Sequence, residues 1–218
     1  MMDSSPKSWK SIKPSSTVTL TDSQSLKKDV AGLVYSIKQI LHIEESGKLC
    51  EWLFFRLIGD GDEPEKWLMI KIVDDEIDLR VYTENPDFDG RNRQDLIDAQ
   101  DFWVFQQPDD PDNFRVNELK YTKSVNWDFL DKTHSDYDLK GFGEMQGKVR
   151  ISPLQTGQKK DLLASIAEYV AVGNSPKKNP VELIFLEIGS PESEAGGLIR
   201  MLFGHAIRAT EVDVLAIT

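Results

Sequence analysis

The chain has 218 residues, of which 39% are hydrophobic and 29% are charged, and its formal net charge is −11. This balance is typical of a globular protein that buries a core, so the composition argues against wholesale disorder. The negative charge disfavours binding to nucleic-acid phosphates and to anionic membranes. It favours a solubilising role or a basic partner.

A single cysteine, Cys50, excludes an intrachain disulfide and a cysteine-based zinc site. Its apolar neighbours Leu49 and Trp52 indicate a small core residue rather than a nucleophile. Residues 1–18 lack the apolar segment of a secretory signal, and no apolar run approaches the length of a transmembrane helix. We therefore expect a cytoplasmic protein that does not enter a membrane.

The first 45 residues divide into two segments. Residues 1–16 are rich in Ser, Lys and Pro, which predicts a flexible arm. Residues 25–45 have mixed periodicity, and a helix followed by a strand from about residue 39 is the favoured interpretation. That strand is expected to pair with the next one across a turn at 46–48. The apolar residues that fit a helical face are Val30, Leu33, Val34, Ile37 and Leu41.

Residues 50–82 hold the densest run of β-branched and aromatic residues, and they predict three consecutive antiparallel strands. The first two, at 50–58 and 67–73, are apolar on both faces, which is typical of strands covered from both sides. The third, at 77–82, alternates between apolar and polar residues, as a half-exposed strand does. Turn residues separate the three segments, so this region is the predicted centre of the core.

The middle of the chain is less regular. Short strands are predicted at 102–106 and 114–122, with a helical turn near 95–100 before them. Residues 123–150 show little periodicity, and Gly141, Gly143 and Gly147 predict an irregular path for them.

The composition changes near residue 152, and the rest of the chain predicts the order helix, strand, helix, strand. The helices are expected at 159–172 and 193–209, from apolar residues at helical spacing. The strands are expected at 181–188 and 211–217. A strand, a helix and a strand over this length predict a βαβ crossover with two parallel strands.

The predicted fold class is therefore α+β, an antiparallel β-meander of about five or six strands with the C-terminal helix-strand-helix-strand segment packed on it. The predicted parts of the chain are the arm at 1–16, a β-rich domain at 17–150 and an α/β segment at 151–218. The last segment either forms its own domain or shares one with 17–150.

One loop resembles a calcium-binding turn in part. Asn85, Asp87 and Asp89 stand at positions 1, 3 and 5 of an EF-hand-like loop, with Gly90 at position 6. The match then fails, because Leu96 stands where the bidentate carboxylate belongs. A turn stabilised by its own Asp and Asn side chains is favoured over a calcium site, and no other cofactor is expected.

The catalytic candidates are His134, Asp136 and Asp138, a histidine that could act as a base beside two carboxylates. A histidine in a surface loop explains the same residues. Neither H-E-x-x-H nor G-x-S-x-G occurs in the chain. His205 is expected to be partly buried on the last helix.

These observations favour a non-enzymatic cytoplasmic interaction or regulatory protein that binds a protein partner or self-associates. Phe102, Trp103 and Phe105 are the candidate anchors, although packing in the core explains them at least as well. Two alternatives stay open. One is a hydrolase that uses carboxylates or His134 in a cleft between the sheet and the C-terminal segment, and the other is an acidic mimic of nucleic acid.

Overall fold

The computed structural model describes residues 5–21, 31–59, 65–84, 137–153, 162–173, 181–189 and 198–216. Regular structure in them consists of one α-helix, a single 3-10 turn and ten β-strands. The helix α1 spans Pro6–Lys10, and the 3-10 turn spans Ala209–Glu211. The strands are β1 (Thr17–Thr21), β2 (Ala31–Glu45), β3 (Cys50–Gly59), β4 (Lys66–Val73), β5 (Glu76–Glu84), β6 (Tyr137–Ser152), β7 (Leu162–Gly173), β8 (Val181–Gly189), β9 (Leu198–Ala206) and β10 (Val212–Leu215).

The predicted α+β fold class is wrong. The described residues are mostly antiparallel β-sheet, and their only α-helix has five residues. Residue contacts divide the chain into two compact units. The first unit comprises Met1–Thr83, Gly147–Leu163 and Ala206–Thr218, and the second comprises Glu84–Gln146 and Ala164–His205.

The first unit is built on an antiparallel sheet with the strand order β10-β1-β2-β3-β4-β5. Residues 147–152 of β6 pair with the second half of β2, along the edge that β1 occupies in its first half. The three predicted strands of residues 50–82 are confirmed as β3, β4 and β5. The turn predicted between the second and third of these strands is confirmed too. Asp74 and Asp75 lie between the paired residues Val73 and Glu76, with φ angles of 50° and 64°.

Both faces of β3 and β4 are buried, as their two-sided apolar pattern predicts. Leu53, Phe55 and Leu57 lie on one face, which we call the core face, and are at most 2% exposed. Trp52 and Phe54 lie on the opposite face and are 0% exposed. A strand that is buried on both sides cannot alternate between apolar and polar residues, which is why β3 reads as a continuous apolar run.

The helix predicted early in residues 25–45 is wrong for its described part, because β2 is a strand from Ala31 onward. A β-bulge contributes to the mixed periodicity of this segment. The β2–β3 register shifts between Ile37 and Gln39, so Ile37 and Ile40 both join the core cluster although they are three residues apart. A bulge interrupts the two-residue alternation of a strand and here imitates helical spacing.

The N-terminal segment, expected to be a flexible arm, includes α1. Ser5 caps this helix by accepting a hydrogen bond from the Ser8 N–H, and Pro6 starts it with a suitable φ. The apolar side of the segment covers the core face. Trp9 and Ile12 are 4% and 6% exposed, and the Trp9 ring lies 6.3 Å from that of Phe55.

The second unit contains the strand order β9-β8-β7-β6, and β8 pairs antiparallel with β9. The predicted strand at 181–188 is therefore confirmed. Both predicted helices, at 159–172 and 193–209, are wrong, since β7 and β9 occupy most of their described residues. The βαβ crossover is wrong for the same reason. Met201 and Leu202 are adjacent and both 0% exposed, so β9 buries apolar residues on both faces at this point, and periodicity cannot distinguish such a segment from a buried helix.

The irregular path predicted for 123–150 is wrong from Tyr137 onward, where β6 begins. One of its glycines has a packing role. A Cβ atom on Gly147 would lie 2.3 Å from the backbone oxygen of Glu44 on β2. Glycine is thus required by the close approach of two strands, not by a turn.

Candidate functional site

The residues that the sequence singles out for function fall largely beyond the described part of the chain. Asp138 lies on β6, in the second unit. The others lie outside the described residues, and their roles in calcium binding, catalysis and partner binding stay predictions. They are Asn85, Asp87, Asp89, Phe102, Trp103, Phe105, His134 and Asp136.

The described residues instead bring together a charged group that the sequence analysis missed. His42 and Glu44 are two residues apart on β2 and so project from the same face of the strand. Glu51 is the Cα partner of Glu44 on β3, and Arg150 is the Cα partner of His42 on β6. Lys10 reaches this group from α1, and we call these five residues the His42 cluster.

The cluster lies on the core face, where the apolar residues of that face give way to charged ones. The Cα partner of His42 on β3 is Leu53, a residue of the core cluster, whereas the next pair along is Glu44 and Glu51. The side chain of His42 is 19% exposed and that of Glu51 is 30% exposed. His42 and Glu51 are therefore half-buried, and both are accessible to solvent.

Glu51 is the centre of the hydrogen-bond network. Its Oε1 atom accepts from Lys10 Nζ at 2.6 Å, and its Oε2 atom lies 2.7 Å from His42 Nε2. Burial raises the pKa of the Glu51 carboxyl, but the hydrogen bonds of Lys10 and His42, together with the charge of Lys10, outweigh burial and hold this pKa below its ordinary value. Glu51 is therefore a carboxylate at neutral pH.

Arg150 determines the tautomer of the histidine. Its Nη2 atom lies 3.0 Å from His42 Nδ1 and also bonds the Glu44 carboxylate. A guanidinium can only donate hydrogen bonds, so Nδ1 must accept, and the imidazole proton is on Nε2. His42 therefore donates from Nε2 to Glu51 in this arrangement.

The His42 cluster is balanced in charge. Two carboxylates, on Glu44 and Glu51, pair with two cations, on Lys10 and Arg150, and the imidazole of His42 lies between them. Each ionised side chain has a partner, so the network can act as a polar clamp between β2, β3, β6 and α1. The donor atoms of His42, Glu44 and Glu51 lie within 4.8 Å of one another, a separation that a metal ion can bridge.

A second feature of the first unit is an exposed apolar pair. The loop at 46–49 and the turn at 73–76 lie side by side, because Cys50 of β3 and Val73 of β4 are Cα partners. Leu49 is 72% exposed and Val73 is 39% exposed. We call this the Leu49–Val73 end of the sheet.

Other sequence-based candidates have structural roles. Cys50 is a free, buried cysteine, as predicted. His205 is partly buried, as predicted, but it lies on the strand β9 and not on a helix. Glu65, which directly precedes β4, also has a structural role, because it accepts two hydrogen bonds from the guanidinium of Arg56, at 2.8 and 3.0 Å.

The His42 cluster has a faint signature in the sequence. His-x-Glu on a strand places both side chains on one face, and a hairpin of correct register brings Glu51 opposite Glu44. That register follows only if residues 31–45 are recognised as strand. Arg150 and Lys10 have no such signal, since they are 108 residues from His42 and 41 residues from Glu51, respectively.

A search of the described residues finds no helix with the length and hydropathy needed to span a bilayer. Comparison of the chain with protein-family models, with curated proteins and with solved structures finds no match.

Proposed function

We propose that the protein is a non-enzymatic cytoplasmic interaction protein that binds a basic segment of a partner protein at the Leu49–Val73 end. The observation that carries this proposal is the exposure of two apolar side chains, Leu49 and Val73, at the same end of one sheet. Single exposed apolar residues are ordinary on protein surfaces, but two at one sheet end, next to exposed carboxylates, are consistent with the apolar centre and polar rim of a small interface.

The fold does not need an apolar side chain at position 49. The hairpin loop is already held by its backbone, since the Lys48 N–H donates to the Glu45 carbonyl and the Leu49 N–H donates to the Glu45 side chain. The buried side chain next to it is that of Cys50. Exposing the Leu49 side chain to water is therefore unfavourable and does not stabilise the loop, which favours a role in binding.

The charge around the pair indicates the chemistry of the partner. Asp74, Asp75 and Glu76 are exposed and follow Val73 directly, and the chain as a whole carries a net charge of −11. Carboxylates at the rim of an interface attract a basic partner and accelerate its association. The expected partner segment presents one or two apolar side chains between Lys or Arg residues.

The test compares affinity purifications of four tagged proteins from the native cell at physiological salt. Leu49→Asp introduces a charge at the centre of the pair, and Val34→Asp is the matched control, because Val34 is exposed on β2 away from this end. Asp74→Asn with Asp75→Asn removes two charges while keeping residues that tolerate a positive φ. We expect the wild type and the Val34 variant to retain one common protein that the Leu49 variant loses.

The double variant of Asp74 and Asp75 should retain less of that protein. Raising the salt concentration should release the protein from the wild type, because exposed charges are screened within about 10 Å at 0.1 M salt. The proposal fails if the Leu49 variant retains the same proteins in the same amounts as the control. It also fails if the wild type recovers nothing beyond an untagged preparation.

A further inference from the structure

Three side chains of the His42 cluster form a set of donors that suits a transition-metal ion. His42 offers one imidazole nitrogen, and Glu44 and Glu51 each offer a carboxylate oxygen. Imidazole with carboxylate is a donor set of Zn²⁺ and related ions, whereas Ca²⁺ and Mg²⁺ prefer oxygen alone. Three protein ligands leave a fourth position for water or another group.

The separations of these donors are close to those of a coordinated set. His42 Nε2 lies 2.7 Å from the Glu51 oxygen and 3.9 Å from the Glu44 oxygen. Ligands of a tetrahedral ion with bonds near 2.05 Å lie about 3.3 Å apart, so the two distances bracket the required value.

The charges of the cluster allow a divalent ion to replace Lys10 and Arg150 as the partner of the two carboxylates. Lys10 and Arg150 supply two positive charges to the two carboxylates, and a divalent ion supplies the same total. Their side chains are 37% and 67% exposed, so both can turn into solvent when an ion takes their place. Neither cation would be left buried without a partner, which is the costly outcome when a buried pair is broken.

From these donors, distances and charges we propose that His42, Glu44 and Glu51 bind a divalent transition-metal ion with the chemistry of Zn²⁺, and that the ion displaces Lys10 and Arg150. This metal site does not require the proposed partner surface to be correct. Binding through Nε2 moves the imidazole proton to Nδ1, where it faces another donor, the Arg150 guanidinium. Arg150 is therefore a competitor of the metal, not a supporting group.

The direction in which metal affinity changes distinguishes a metal site from a simple salt-bridge network. Removing Arg150 must tighten metal binding, while removing a ligand must weaken it. We expect about one Zn²⁺ per chain for untagged, chelator-treated wild type, measured by competition with a chromogenic chelator. Arg150→Ala should bind up to about fivefold tighter, the equivalent of one exposed ion pair.

Glu51→Gln and His42→Gln should each bind Zn²⁺ at least about tenfold more weakly, because each removes one of three ligands. Two matched controls test for adventitious binding. His205→Gln removes another histidine, and Arg208→Ala removes another exposed arginine, 75% exposed in its side chain. Both controls should bind as the wild type does.

Co²⁺ supplies a second measurement that needs no variant, since tetrahedral coordination by the wild type gives an intense visible absorption band. The proposal is overturned if the wild type binds no Zn²⁺ and shows no such band. It is also overturned if the Glu51 and His42 variants bind as tightly as the wild type, or if the Arg150 variant does not bind more tightly than the wild type.

Discussion

Substitution of Gly147 by alanine tests the close approach of β6 to β2. The added Cβ atom would lie 2.3 Å from the carbonyl oxygen of Glu44, 2.8 Å from its carbonyl carbon and 3.1 Å from the Cα atom of Glu45. Comfortable contacts between nonbonded carbon atoms are about 3.5–4.0 Å. The obstructing atoms belong to the backbone, so relief requires β6 to move away from β2 by about 1 Å.

The energetic consequence follows from that movement. Overfilling a packed region costs about 1–3 kcal/mol, and each backbone hydrogen bond weakened by the shift adds up to about 1 kcal/mol. Replacing glycine recovers only about 0.4–1 kcal/mol by restricting the unfolded chain. We expect a net loss of about 2 kcal/mol, or a decrease in Tm of about 4–8 °C for a chain of this size.

The matched control is Gly47→Ala in the β2–β3 loop. Its Cβ atom would meet only the flexible side chain of Glu45, at 3.7 Å, so we expect no loss of stability. Both variants are compared by urea unfolding and by amide hydrogen exchange of residues 147–152, which reports opening of the β2–β6 pairing locally. If the Gly147 variant proves as stable and as protected as the Gly47 variant, the argument from close approach is refuted.

Three further substitutions test other parts of the first unit. Trp9→Ala should lower the free energy of unfolding by about 3 kcal/mol, since it removes a buried aromatic ring from the core face, whereas Lys7→Ala on the exposed side of α1 should have little effect; urea unfolding measures both. Glu51→Gln should cost about 1–2 kcal/mol at neutral pH, because Lys10 loses a charged acceptor. The folded-state pKa of Glu51 is depressed, so its contribution is present above the unfolded pKa and is lost as the pH falls through the folded pKa. The Tm difference from wild type should therefore shrink below about pH 4, and a constant difference would contradict the assignment. Asp75→Gly should raise Tm, since glycine adopts φ 64° without strain, and Asp75→Ala should lower it; equal Tm values for the two would show that backbone conformation does not limit this turn.

The parts of the fold that sequence predicts correctly are those governed by local patterns. Strands β3, β4 and β5 follow from continuous apolar runs and from turn residues between them, and the burial of Cys50 follows from its apolar neighbours. These signals are short in range, so they survive in a single sequence.

The errors occur where tertiary pairing overrides local preference. Residues 162–173 include three alanines, two leucines and one glutamate, all of which favour helices, yet they form β7. Strand β9 is buried on both faces and so has no alternation, and β2 has an alternation that its bulge disrupts. In each case the neighbouring strands, and not the intrinsic propensity, decide the structure.

The His42 cluster illustrates the same division. The sequence alone determined an acidic, β-rich chain with one cysteine, a buried centre at 50–82 and a histidine two residues from a glutamate. Only the tertiary structure decided that Glu51, Arg150 and Lys10 meet that histidine. The physical reason is register: an antiparallel pairing brings together side chains that lie far apart along the chain, and a shift of one residue would turn them to the opposite face.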